Sequence, residues 1–153
     1  MTSYLIDINV WLALSWQLHP FSDAAHLWLG ALPKQNTRLL FSRITQLGLL
    51  RLLTNEMVMG QSVLTISQAL SVYDEWTEDP RVAFAAEPQG TEQAFRHAAA
   101  DSANKAATKV IMDAYLAGFA KTEQAILITF DKALCKVAKS IKTQHQLLTA
   151  HSS

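Results

Sequence analysis

Two short, uninterrupted apolar runs that each lead to an aspartate constrain the fold of this chain more than any other feature. They are Tyr4-Leu5-Ile6-Asp7 and Ala125-Ile126-Leu127-Ile128, the latter continuing through Thr129-Phe130 to Asp131. A strand with one wet face alternates apolar and polar residues, whereas a continuous run needs cover on both faces. Strands of this kind separated by helical stretches imply a parallel sheet with helices on each side. The predicted class is therefore α/β. Ligands of open parallel sheets gather beyond the carboxyl ends of the strands, so Asp7 and Asp131 are predicted to face one crevice from distant parts of the sequence.

The intervening elements follow from spacing and caps. Asn9 reads as the N-cap of a helix over Val10 to Trp16, which His19-Pro20 ends. Ser22 is expected to cap a second helix across Asp23 to Leu32, with Ala24, Leu27, Trp28 and Ala31 at helical spacing. Arg38 to Phe41 reads as a strand, and Ser42 precedes an apolar helix, ITQLGLLRLLTN. Leu64 to Trp76 reads as a helix ended by Glu78-Asp79-Pro80, Val82 to Ala86 as a short strand, and Thr91 to Ala100 as a helix. KVIMDAYLAGFAKTEQ carries Ile111, Tyr115, Ala117 or Gly118, and Phe119 at near-helical steps, and a last helix is expected over Ala133 to Ser140. No repeat or Pro/Gly-rich linker interrupts the 153 residues, so 1–153 are expected to form a single domain.

Charge and cysteine content narrow the functional classes. Lys plus Arg number 13 and Asp plus Glu number 13, which excludes a polycation that binds nucleic acid or membrane by bulk charge and leaves room for a local site. The single cysteine, Cys135, excludes an intramolecular disulfide framework and any site needing several thiolates. The opening MTSYLIDINVWLAL lacks a basic leader and contains Asp7 and Asn9, making it a poor signal peptide. No apolar stretch approaches the ~18 residues of a membrane span. A soluble, cytoplasmic protein without membrane contact is expected. The histidines (His19, His26, His97, His145, His151) lack metal-ligand spacing and read as structural or surface residues. Trp11, Trp16, Trp28 and Trp76 have the chemistry to stack bases, but Trp11 and Trp28 sit in helical apolar patterns and are predicted to pack in the core.

A third aspartate, Asp113, interrupts an otherwise apolar helix, between Val110-Ile111-Met112 and Ala114-Tyr115-Leu116. A charge in that setting is costly unless paired or coordinated. Singly, Asp7 and Asp131 are equally compatible with ordinary caps after strands. Three convergent carboxylates repel one another, and a cation relieves the repulsion. Oxygen ligands favour Mg²⁺ or Mn²⁺, which can lower the pKa of a bound water and stabilise charge developing on a phosphodiester. The chemistry implied is metal-dependent phosphodiester hydrolysis.

Four segments in order, LIDINVWLAL, FSRITQLGLLRLLTN, KVIMDAYLAGFA and ILITFD, together with AHLWL around Trp28, resemble the PIN-domain family, nearest to the VapC-type toxins of bacterial toxin–antitoxin pairs. The resemblance implies an α/β/α sandwich with a mainly parallel sheet. It also implies a Mg²⁺- or Mn²⁺-dependent endoribonuclease for single-stranded or loop RNA, restrained by a cognate antitoxin and expected as a homodimer. By motif, Asp7 and Asp113 would be the principal metal ligands and Asp131 would act nearby, with Asn9 and Thr129 hydrogen-bonding the carboxylates or bound water. The chain departs from the pattern at Gly48, three residues before Arg51, where the family commonly has glutamate. Thr45 and Gln46 could supply neutral oxygens there. A PIN fold that binds RNA or protein with a weakened or lost nuclease site is the alternative.

Arg51 is a candidate contact for RNA phosphate or an antitoxin carboxylate, or else a solvated arginine on a helix rim. Lys132, Lys136 and Lys139 follow Asp131 at near-helical spacing and either guide a phosphate backbone or form a solvated basic face. Leu64 to Trp76, with Tyr73 and Asp74-Glu75, could serve dimerisation or antitoxin contact.

Overall fold

The computed structural model describes residues 1–150 of the chain; His151 lies outside the described residues. Five parallel strands form one sheet: β1 (Thr2–Ile6), β2 (Thr37–Phe41), β3 (Val82–Phe84), β4 (Ile126–Thr129) and β5 (His145–Leu147), in the order β3-β2-β1-β4-β5. β1 is central, with Leu5 opposite Leu40 on one side and Leu127 on the other. The chain runs outward from β1 through β2 to β3, then returns to place β4 against the other edge of β1. The strand order therefore reverses between β1 and β4, the position at which an open sheet leaves a crevice.

The helices are α1 (Ile8–Ser15), α2 (Ser22–Ala31), α3 (Arg43–Leu53), α4 (Glu56–Met59), α5 (Ile66–Glu78), α6 (Thr91–Ala99), α7 (Thr108–Glu123) and α8 (Lys132–Ser140). They cover both faces of the sheet, which explains the continuous apolar strands. Successive side chains point to opposite faces, so Ile6, Leu39, Phe41 and Ile128 enter one core with Trp11, Leu49 and Leu53. Leu5, Leu40 and Leu127 enter the other with Ala114, Leu116, Phe119 and Leu134. The predicted α/β/α layering is the observed one.

Trp11 is fully buried and stacks on Phe41 with ring centroids 3.8 Å apart. Trp28 is also buried and meets Tyr4 edge-on. Both expected core tryptophans are in the core.

Local chemistry sets the element boundaries. Ser42 and Thr45 form a capping box at the start of α3, and Thr65 and Gln68 form another at α5. Two expected caps differ. The first helix begins two residues earlier than its apolar pattern suggests, because Asp7 and not Asn9 takes the N-cap position and accepts from the Ile8 N–H. Ser22 is the first helical residue of α2, and its side chain makes no capping bond. Sequence patterning also misses α4 and β5, four and three residues long, both too short to carry a period. Among the described residues no helix is long and apolar enough to cross a membrane.

Candidate active site

The crevice between β1 and β4 collects the acids. Asp7 follows β1 directly and is 8% exposed. Its Oδ1 accepts from the Ile8 N–H at 2.8 Å, and its Oδ2 accepts from the Thr129 hydroxyl at 2.7 Å. Thr129, at the end of β4, in turn accepts from the Asp131 N–H at 2.9 Å. One hydroxyl thus ties the two strand ends together. Asp131 caps α8 through the Ala133 N–H, at 2.8 Å from Oδ1. Asp7 and Asp131 are therefore both helix caps and lining residues of one cleft.

Asp113 reaches the same cleft from α7. It is 7% exposed, and among the described residues no hydrogen bond reaches its carboxyl; its one ion-pair partner is Lys109, 4.0 Å away on the preceding turn. The Lys109 ammonium also donates directly to Asp131 Oδ2. Lys109 was not among the sequence candidates, although an (i, i+4) pairing with Asp113 is a helix-surface signal.

The electrostatics follow from this arrangement. Burial pushes the Asp7 carboxyl above the usual range, against the opposing pull of the Thr129 and Ile8 hydrogen bonds. Burial also raises Asp113, with Lys109 opposing and the neighbouring Asp131 and Asp7 charges adding. Partial burial works the same way at Asp131, but the Lys109 ammonium and the Ala133 N–H hold its carboxyl below the usual range overall. The hydrogen bond to Asp131 raises Lys109. The cluster thus holds two acids that resist ionisation beside one that is held ionised by an ammonium.

The acids line a cleft of about 420 Å³ with Asn9, Gly48, Arg51 and Lys109. A second cavity of about 540 Å³ shares Asp7, Asn9 and Asp131 and extends to His19, Phe21, Phe130 and Lys132. Asn9, Arg51 and Lys132 therefore stand where a site residue would. Lys136 is exposed further along α8 and lines neither cavity.

Thr45 and Gln46 do not reach the acids. Thr45 is buried and committed to its capping box with Ser42, and Gln46 accepts from Arg43 instead. The space at Gly48 is already filled: a Cβ there would lie 2.3 Å from Ile8 Cδ1 and 2.7 Å from Cγ1. A glutamate at that position would require Ile8 to turn away, so the departure at Gly48 is matched by its neighbour on α1.

Among the described residues no three carboxylate, imidazole or thiolate groups converge closely enough to cage an ion unaided. The donor set nonetheless fits a hard divalent cation. Mg²⁺ is commonly held by one or two carboxylates, with waters and substrate phosphate completing its shell. Asp113 is a buried carboxyl lacking a hydrogen-bond donor, and an ammonium already stands in as a cation beside it.

Comparison with known proteins bears on the family and the fold. A family model described as the PIN domain matches residues 4–140. Over 133 residues the chain is 41% identical to Ribonuclease VapC41 of Mycobacterium tuberculosis, covering 84% of this chain and 89% of that protein. VapBC2 from Rickettsia felis, bound to a DNA fragment from its promoter, has a similar fold, with TM-score 0.69 and 13% identity over 97% of this chain and 100% of that one. VapBC-1 from nontypeable Haemophilus influenzae is similar with TM-score 0.67 and 20% identity, over 95% and 98% of the two chains. The family match over residues 4–140 and the 41% identity to a VapC ribonuclease place this chain in the PIN-domain family, among its VapC-type members.

Proposed function

We propose that this protein is a cytoplasmic, divalent-metal-dependent endoribonuclease that serves as the toxin of a toxin–antitoxin pair. The observation that carries the reading is the convergence of Asp7, Asp113 and Asp131 on one cleft from β1, α7 and the end of β4, with Asp113 buried and lacking a hydrogen-bond donor. Identity to a VapC ribonuclease and fold similarity to VapBC assemblies support the same conclusion.

Asp7 and Asp113 would hold Mg²⁺ or Mn²⁺, with Asp131 beside them. Once bound, the ion supplies Lewis-acid stabilisation of a phosphodiester and a more acidic water. The chain's own residues do the rest. Thr129 fixes the Asp7 carboxylate by donating to Oδ2, leaving Oδ1 oriented by the Ile8 N–H. Asn9 would hydrogen-bond a carboxylate or bound water, and Arg51 and Lys132, which line the two cavities, would meet the RNA backbone. Lys109 offsets the acidic charge and would have to yield or share Asp131 when a divalent ion enters. A cognate antitoxin is the proposed restraint. The exposed apolar side chains Ile66 and Leu70 of α5, next to Asp74 and Glu75, offer a surface for it or for a second copy of the chain.

Single-stranded RNA incubated with the purified protein and Mg²⁺ or Mn²⁺ should be cut, and chelation should stop the reaction. Asp7→Asn and Asp113→Asn should each lower the rate at least about a hundredfold, since even outer-shell changes at metal sites cost 10–100-fold. Equal activity in all three proteins would overturn the site assignment. Gly48, with Ile8 filling its space, favours a second reading, a PIN fold that holds RNA without turnover. RNA binding with no cleavage at any metal concentration would favour it.

A further inference from the structure

Next to the acid cleft stands a group of aromatic side chains at the margin of the first core, where Phe130 is only half-buried. His19 and Phe21 lie in the connection between α1 and α2, and Phe130 lies between Thr129 and Asp131. The Phe21 and Phe130 rings are 4.9 Å apart, and the His19 ring lies 6.5 Å from Phe130 and nearly parallel to it. Phe21 is 37% exposed. Together they line the 540 Å³ cavity whose remaining wall is Asp7, Asn9, Asp131 and Lys132.

The imidazole has a fixed orientation. His19 Nδ1 accepts from the Phe21 N–H at 3.0 Å, so in the neutral ring the proton resides on Nε2. Burial lowers the pKa of His19, which favours that neutral form. The cavity therefore combines aromatic faces, an N–H donor and a lysine, and it opens onto the acids proposed to act on the phosphodiester.

We infer that the His19, Phe21 and Phe130 cavity is a nucleobase subsite, which seats one unpaired base of single-stranded RNA beside the phosphate presented to the acids. Base–aromatic stacking suits any base, because every base has a π-face. The His19 Nε2–H, which the bond to Phe21 leaves free of that contact, supplies a donor for an acceptor on a base edge and adds preference among bases. Lys132, at the first position of α8, is placed to meet the phosphate that follows or precedes the seated base. The occupant is RNA and not a protein segment because the cavity is continuous with the acid cleft, sharing three of its residues, and because a lysine stands at its rim. This inference rests on the ribonuclease reading and adds to it a stated contact with the substrate.

The test measures binding in an Asp113→Asn background, so that RNA is retained and not cut. Short single-stranded RNAs carrying one 2-aminopurine at successive positions are titrated with the full chain. One register should show quenched fluorescence, as expected when the probe base stacks on aromatic rings. Phe21→Ala and Phe130→Leu should relieve the quenching and weaken binding about tenfold, within the range found when stacking aromatics are removed. An RNA with an abasic nucleotide at that register should bind parent and variants alike.

His19→Asn keeps an oxygen able to accept from the Phe21 N–H, and Phe21→Leu keeps bulk at the surface, should Phe130→Leu fail to fold. His19→Asn should reduce the spread of affinities among RNAs differing only at the seated base. Tight RNA binding by the parent that Phe21→Ala and His19→Asn leave unchanged overturns the subsite alone. The same result with loss of binding to a partner protein would assign the aromatics to that partner. Failure of the parent to bind RNA, with no cleavage by wild type, overturns the subsite and the ribonuclease reading together.

Discussion

Asp113 shows most clearly what a single residue contributes. Folding removes its carboxyl from water without supplying a hydrogen-bond donor, and Lys109 at 4.0 Å offsets only part of the cost. Its pKa is raised on folding, chiefly by burial. A group shifted in that direction contributes stability below its unfolded pKa and loses it as pH rises through the folded value. At neutral pH and without metal, Asp113 therefore destabilises the fold. Asp113→Asn should raise the melting temperature of the metal-free protein at neutral pH by about 2–4 °C, equivalent to about 1 kcal/mol. The gain should disappear below about pH 4, where the wild-type carboxyl is protonated. Saturating Mn²⁺ should reverse the order, because the ion stabilises only a protein that binds it. Thermal melts with chelator and with Mn²⁺, across this pH range, check all three statements. Asp7 and Asp131 were legible as strand-end acids, but Lys109 became visible only when α7 brought its ammonium between Asp113 and Asp131.

At the scale of elements, α7 both carries Asp113 and closes one core, and its closest approach is to α6. Gly118 makes that approach possible: a Cβ there would lie 2.7 Å from the Phe95 amide nitrogen and 3.0 Å from the Ala94 carbonyl carbon. Backbone cannot move aside as a flexible side chain can. Gly118→Ala should therefore destabilise the protein by about 1–3 kcal/mol despite alanine's better helix propensity, a loss that chemical denaturation would register. A displaced α7 would also carry Asp113 away from Asp7, so residual activity should fall further than the folded fraction does. Most elements were readable from apolar runs and breakers. Helix starts were less so, since the residue taken for the cap of α1, Asn9, is inside the helix and Asp7 caps it. β5 escaped because its three residues pair with β4 alone at a sheet edge, a contact over sequence too short to show a period.

For the whole molecule, formal neutrality conceals an uneven distribution of charge. Lys132, Lys136 and Lys139 recur along α8 at steps of four and three residues and are all exposed, so they share one helix face that begins beside Asp131. Charge reversal at all three should weaken single-stranded RNA binding and flatten its dependence on salt. Removing up to three phosphate contacts should reduce the slope of log K against log salt by about 2. Binding isotherms of the Asp113→Asn protein at several salt concentrations measure this slope; an unchanged slope would make the face merely solvated. The four-segment pattern was enough to identify the family, because strand-end acids and their order are local properties of the chain.

The sequence by itself determined the fold class and the order of most elements and singled out all three acids as candidates, because apolar continuity, its interruption by a charge, breakers and caps act over a few residues. Tertiary structure alone decided which groups share the cleft. The β1–β4 pairing brings residues 7 and 129 within one hydrogen bond across 122 positions of chain. It also decided that Thr45 and Gln46 stay out of the site, that Ile8 fills the space left by Gly48, and that His19, Phe21 and Phe130 meet beside the acids. Such juxtapositions depend on how sheet and helices pack through space, and no local spacing in the chain encodes them.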